Sequence, residues 1–268
     1  MGEPKLSPCA SLVRQADPDL FLAALFTAEP LRERLMTLIA FDVELSRANR
    51  RASEKVIAAM RLQWWRDVVA EACDGAEPRA HEVAGPLADL IRSVPLPAAA
   101  FEPIIAGYER ELTSPFSADE YDFWAEERFV GLLHLAAWLV GCADHAALAP
   151  AGRAMALSFA LRHARAMAGE GVFLLPLPGL ERGALSRGET TDTMRAMISG
   201  RADDALDALR KHRAGVPRRL KPVLRLGWRS APVLKHALKP GLDLARDFVE
   251  PPGRGTLRLL QLSLTGRW

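Results

Sequence analysis

The sequence predicts an all-α protein, a single-domain helical bundle, and three observations carry that prediction. Apolar residues recur at three- and four-residue spacing over long stretches, as in Val56, Ile57, Met60, Trp64 and Val68. Capping signatures stand at the head of such stretches, among them Asp17-Pro18-Asp19 and Ser117-Ala118-Asp119-Glu120. Strand signatures, alternating apolar runs between turn residues, are almost absent. We expect a flexible N-terminus over residues 1–15 and one helical domain of about ten helices over 16–268.

The elements follow in order. Asp17 caps a helix with Pro18 in its first turn, covering Leu20 to Phe26. Glu29-Pro30 opens a second, through Leu31, Leu35, Leu38 and Ile39 to about Asn49. Ser53 is placed to cap a third, which ends near Cys73 because Asp74-Gly75 follows. Short helices are expected over Pro86–Arg92 and Ala98–Leu112, separated by the Pro95-Leu96-Pro97 break. The capping box at Ser117 opens a long helix to about Val140, and another runs from about Pro150 to Ala168, where Gly169-Glu170-Gly171 stops it. A further helix covers about Glu189 to Arg213. Pro217, Pro222, Pro232, Pro240 and Pro251-Pro252 then break the remainder into short pieces.

Composition excludes several classes of function. Thirty-five Lys and Arg against 33 Asp and Glu leave a net charge of +2, which speaks against a dedicated nucleic-acid binder. Cys9, Cys73 and Cys142 are scattered, fit neither a disulfide framework nor a zinc site, and suit a reducing cytoplasm. The N-terminus lacks the apolar core of a signal peptide, and the apolar run Phe129–Ala143 is shorter than the ~20 residues that cross a bilayer. Gly-x-Ser-x-Gly and phosphate-cradling glycine loops are missing. The one compositional shift is a basic stretch over 210–239, which holds ten Lys and Arg and no acid, interleaved with Val216, Leu220, Leu224, Trp228 and Leu234. Two readings stand there: a surface that meets anionic lipid, or ordinary amphipathic helices with basic solvent faces.

Four blocks carry a likeness. They are Ala40-Phe41-Asp42-Val43-Glu44-Leu45, Met60-Arg61-Leu62-Gln63-Trp64-Trp65-Arg66-Asp67, Leu161-Arg162, and Gly171-Val172-Phe173-Leu174-Leu175-Pro176. In this order and separation they resemble the squalene/phytoene synthase family of head-to-head prenyl synthases. The resemblance implies the all-α isoprenoid-synthase bundle with a central cavity. In active members, aspartates four residues apart on two facing helices hold Mg²⁺, which neutralises the departing diphosphate. A four-residue step is roughly one turn, a rise of about 6 Å, so both carboxylates point the same way.

Carried onto this chain, the first motif's aspartates fall on Ser46 and Arg50 and the second's on His163 and Met167. None is a carboxylate. Asp42 and Glu44 are two residues apart and diverge by about 200° around a helix, so they cannot replace the pair. Phe41-x-Val43-Glu44-Leu45, Ser53-Glu54-Lys55 and the Trp-Trp block look closer to the family's non-catalytic branch, the respiratory complex I assembly factor homologues. The resemblance thus implies a binding or assembly protein with neither catalytic residues nor a bound metal, expected in the cytoplasm, with a peripheral place at the inner face of the cytoplasmic membrane as the further expectation. The alternative is an active prenyl transferase with an unconventional Mg²⁺ arrangement.

The candidate site follows from those positions. Ser46, Arg47, Arg50, Arg162 and His163 form an expected anion pocket in which cationic side chains replace the metal and meet a phosphate-bearing, carboxylate or isoprenoid ligand. Arg47 and Arg50 could equally pair with Glu44 or Glu54 at helical spacing. Gln63, Trp64, His134 and Met167 are expected to line the cavity, with one of Trp64 and Trp65 in the core and the other at its edge. The expected partners are a respiratory-complex subunit or assembly protein and the anionic membrane surface.

Overall fold

In the computed structural model, residues 6–50, 54–246, 248 and 254–265 are described, without the side chains of Arg50 and Arg254. Helices make up the fold, and no strand occurs among the described residues. They are α1 (Pro8–Ala16), α2 (Pro18–Leu25), α3 (Leu31–Arg50), α4 (Lys55–Cys73), α5 (Ala84–Ser93) and α6 (Glu102–Glu111). Then come α7 (Ala118–Trp124), a π-helical turn (Ala125–Val130), α8 (Gly131–Trp138), α9 (Leu148–Gly169), α10 (Gly179–Arg187) and α11 (Asp192–Lys211). Short α12 (Lys221–Leu224) and α13 (Ser230–Ala237) precede α14 (Arg254–Thr265).

The expected caps are formed. Asp17 Oδ1 accepts from the backbone N–H groups of Asp19 at 3.1 Å and Leu20 at 2.9 Å. Ser117 and Glu120 make the reciprocal capping box. A cap not foreseen from the sequence is Thr191, which accepts from Met194 N at the head of α11. The Ser53 cap lies outside the described residues. A correction falls at the N-terminus: residues 1–15 are expected to be flexible, whereas Pro8–Ala16 form α1. Ser7 Oγ accepts from Ala10 N, Pro8 fits the first turn, and Cys9, Ala10 and Val13 are buried in the common core.

The core is one contiguous cluster drawn from almost every helix. Phe41 of α3 meets Trp65 of α4 edge-on at 5.5 Å and Phe101 at 5.7 Å. Arg66 then clamps α4 to α6, reaching Glu109 at 2.6 Å and Glu102 at 2.9 Å. The long helix opened by Ser117 is observed, but its middle third is π-helical. That turn is gripped between two close approaches. A Cβ on Gly107 of α6 would sit 2.8 Å from Arg128 Cβ, and one on Gly152 of α9 would sit 2.6 Å from Val130 Cα. Only glycines let the three backbones come so near.

Candidate functional site

Helices α3, α6 and α9 converge on the π-helical turn, and a polar network fills the space between them. Arg128 projects from the turn and is only 5% exposed. It forms an ion pair with Glu111 of α6, itself 8% exposed. Glu111 also accepts from Trp124 Nε1 at 2.9 Å and from Asn49 Nδ2 at 3.1 Å. Asn49 donates a second bond to the Tyr108 carbonyl at 3.2 Å, and the Tyr108 hydroxyl donates to Asp42 Oδ1 at 2.9 Å. Aromatic rings enclose the guanidinium: its carbon lies 4.3 Å from the Tyr108 ring centroid, 4.4 Å from Phe159 and 4.9 Å from Phe129.

The electrostatics follow from burial. Removal from water pushes the Asp42 carboxyl above its ordinary range, partly offset by Arg128 and the Tyr108 hydroxyl. Burial likewise drives the Tyr108 phenol up, so it stays a neutral donor. For Arg128 burial disfavours the charge, but Glu111, Tyr108 and Asp42 outweigh it and the guanidinium stays charged. A buried cation thus occupies the centre of the bundle, held by carboxyl groups of this chain.

The predicted site residues are distributed around this centre. On α3, Ser46 lies one turn beyond Asp42, and on α9 His163 lies one turn beyond Phe159, so each extends the same helix face. Arg47 pairs with Glu44 at 2.8 Å, and Glu44 also lies 3.8 Å from His81 Nε2. The Arg50 side chain lies outside the described residues. A ring nitrogen of His163 bonds the Phe159 carbonyl at 2.9 Å, and the two rings stack at 4.3 Å. Arg162 pairs with Asp19 of α2 at 2.6 Å, while Arg229, at the head of α13, holds the other oxygen of the same carboxylate at 2.7 Å. Asp19 is therefore gripped by two guanidinium groups, one from α9 and one from the head of α13.

The expected cavity-lining residues do not share one space. Gln63 is exposed and bonds Asp67 at 2.9 Å, because Leu62, Trp65, Val68 and Val69 take the buried face of α4. Trp65 is the core member of the Trp pair. Trp64 instead lines an open outer groove with Glu44, Arg47, Arg61 and His81, which does bring it together with Arg47. Met167 sits beside a small cavity with Ala160, Ala164 and Val172, below the Gly171–Pro176 loop. His134 is half-buried on α8. Sequence reasoning missed Tyr108, Glu111 and Arg128. For Arg128 the available signal was a charged residue spaced four from Trp124, one from Phe129 and three from Gly131.

The donor set does not suit Mg²⁺, a hard ion that takes oxygen ligands. His163 offers an imidazole already bound to a carbonyl, and Met167 a thioether. The nearby acids are committed separately: Asp42 to Tyr108, Glu44 to Arg47, Asp67 to Gln63, Glu126 to Arg153 and Glu127 to Arg110. Among the described residues no group of three or more His, Cys, Asp or Glu side chains is placed to hold a metal ion. No helix among them is long and apolar enough to cross a membrane.

Comparison with known proteins places these features. The family model for squalene/phytoene synthase matches residues 13–240. The NADH dehydrogenase (ubiquinone) complex I assembly factor 6 of Rattus norvegicus is 32% identical over 146 residues, which cover 52% of this chain and 43% of the rat protein. Its Drosophila melanogaster homolog is 30% identical over 164 residues, 58% of this chain and 49% of that protein. The chain thus spans less than half the length of these relatives. Among solved structures, squalene synthase HpnC from Alicyclobacillus acidocaldarius superposes with a TM-score of 0.71 at 17% identity, covering 85% of this chain and 90% of that one. A dehydrosqualene synthase in complex with ligand gives 0.79 at 13% identity, covering 96% and 94%. With the family model running through nearly the whole bundle and the same fold in both synthases, this chain belongs to the squalene/phytoene synthase family.

Proposed function

We propose that this chain is a non-catalytic member of its family that binds or assembles rather than converts, acting in respiratory complex I assembly as its relatives' names indicate. The observation that carries the reading is the central network. Arg128 and its ring cage are buried between α6 and the two helices, α3 and α9, that carry the four aligned positions, and those positions hold Ser46, Arg50, His163 and Met167 in place of paired carboxylates. A fixed cation satisfied by Glu111 leaves little room for a prenyl chain and no oxygen set for its diphosphate. Fold likeness to the two synthases fixes the scaffold and not the reaction.

The site chemistry that remains is recognition. Ser46, Arg47, Arg50, Arg162 and His163 are proposed to meet an anionic group of a ligand or client. Arg162 and Arg229 hold Asp19 now, and Arg47 holds Glu44, so an incoming anion must displace an internal carboxylate. Titration calorimetry with diphosphate tests this part: Asp19→Asn should bind more tightly than wild type and Arg162→Ala more weakly, whereas equal heats for all three remove the anion site. The assembly role is tested by deleting the gene and measuring NADH oxidation by isolated membranes. Loss of that oxidation, restored by the wild-type chain, supports it, and unchanged oxidation with a normal complex I content refutes it. Localisation at the inner face of the cytoplasmic membrane belongs to the same proposal.

A further inference from the structure

An apolar recess with a charged rim lies on the flank built by α11, α13 and α14, away from the central network. It encloses about 460 Å³, within the ~300–1,000 Å³ typical of small-molecule sites. Leu206 and Leu209 of α11, Leu224, Trp228, Ala231 and Leu262 form its walls. Trp228 makes a rigid floor: it is buried, its indole donates to the Asp19 carbonyl at 3.2 Å, and Gly255 of α14 lies directly against its ring. None of the positions aligned to the family's metal motifs lines this recess.

The rim is chemically one-sided. Arg210, Arg213, Lys235 and Arg258 border the apolar interior, and Asp203 is the single acid among the described lining residues. Arg210 pairs with Asp207 one turn back on α11. Arg213 and Lys235 are exposed and carry no ion pair among the described residues. Apart from Ser230 and the Trp228 indole, which is already committed to the Asp19 carbonyl, the described lining side chains of the interior offer no hydrogen-bonding group, so whatever enters must be largely hydrocarbon, while its exposed end meets cations.

We propose that this flank cavity binds a single-chain anionic amphiphile, its hydrocarbon tail along Leu206, Leu224 and Trp228 and its carboxylate or phosphate head between Arg213 and Lys235. The basic character of 210–239 then divides into two jobs. Arg229 holds Asp19 inside the fold, whereas Arg213 and Lys235 face a ligand head at the cavity mouth. This site is independent of whether the chain serves complex I.

Displacement of a fluorescent fatty acid from the purified full chain tests the proposal, with palmitate, palmitoyl lysophosphatidylglycerol and the neutral monopalmitoylglycerol as competitors. One saturable site is expected, with the anionic tails at least about tenfold stronger than the neutral one, a ratio matching one or two charge-assisted contacts. Palmitate leading identifies a carboxylate head, and the lysophospholipid leading a phosphate head. Ala231→Trp fills the cavity and should abolish binding. Leu238→Glu, at the half-exposed mouth, should weaken all three tails without disturbing the core. Arg213→Glu with Lys235→Glu should remove the preference for anionic heads and leave monopalmitoylglycerol unchanged. Equal affinity for neutral and anionic tails overturns the proposal, as does full binding in both Ala231→Trp and Leu238→Glu. So does a concentration-dependent dimer that buries this face and persists in saturating palmitate.

Discussion

Arg128→Met removes the central cation and keeps a side chain of similar length. In the folded protein Glu111 then stays buried with its carboxylate uncompensated by charge. Breaking a buried pair from one side typically costs about 3–5 kcal/mol. Two considerations set the expected value near the lower end. Trp124 Nε1 and Asn49 Nδ2 still donate to Glu111, and Met can pack among the Tyr108, Phe129 and Phe159 rings that now face the guanidinium. At about 2–4 °C per kcal/mol for a chain of this size, the melting temperature should fall by roughly 6–12 °C, read by calorimetry or by circular dichroism at 222 nm. The double variant Arg128→Met/Glu111→Gln restores neutrality and should recover most of the loss, a coupling of about 2 kcal/mol or more in a double-mutant cycle. A single variant less than about 1 kcal/mol below wild type, or additive losses in the cycle, would mean that the network is not the keystone of the bundle.

Other perturbations probe the same packing. Gly152→Ala places a methyl group 2.6 Å from Val130 Cα, backbone that cannot step aside, and should cost about 1–3 kcal/mol or more by overpacking in urea unfolding, whereas Gly85→Ala, with open space around it, should stay near neutral. Asp42 holds its proton to higher pH when folded than when unfolded, so its protonated form favours the native state in acid and that advantage is lost as pH rises from about 4 through its folded value. Asp42→Asn should therefore raise the melting temperature at pH 7 relative to wild type, with the gap closing toward pH 4; a gap that widens in acid would contradict the assignment. Burial pushes the Cys9 thiol up to about 11, while Cys73 is exposed. A thiol reagent at pH 8 should accordingly modify Cys73 first and Cys9 only on unfolding; early labelling of Cys9 would show that α1 is not docked.

The parts of the fold legible in the sequence are those set by neighbours along the chain. Asp17, Ser117 with Glu120, and Thr191 each satisfy helix N–H groups two or three residues away, so their helices could be read locally. α1 was as legible as these, because Ser7-Pro8 is a cap followed by a first-turn proline, but the helix is short and its buried Cys9, Ala10 and Val13 stand among polar residues. α10 carries no side-chain cap at its head; its clearest mark is Gly188, whose φ of 86° closes its end. The π-helical turn was not legible, since it depends on Gly107 and Gly152 approaching from helices distant in sequence.

The candidate site divides the same way. The identities of Ser46, Arg50, His163 and Met167 at the positions aligned to the family's motifs are written in the sequence itself, and the Arg47–Glu44 pair follows from i,i+3 spacing. The partners of Arg162 and Arg128 are set by tertiary contact: Asp19 lies 143 residues from Arg162, and Glu111 lies on a separate helix from Arg128. A charged residue inside a helix gives no sign of which way it points until the neighbouring helices are placed. That is why Gln63, expected to line the cavity, is exposed, and why Arg128, not among the expected site residues, is buried.

Incubation of the full-length chain with farnesyl diphosphate and Mg²⁺, with released pyrophosphate measured by a coupled enzymatic assay, addresses the main conclusion most directly. A chain with Ser46, Arg50, His163 and Met167 in place of paired carboxylates should give no release above a protein-free control, in Arg128→Met as in the wild type. Mg²⁺-dependent release that disappears in Asp42→Asn would show that prenyl transfer survives in this scaffold.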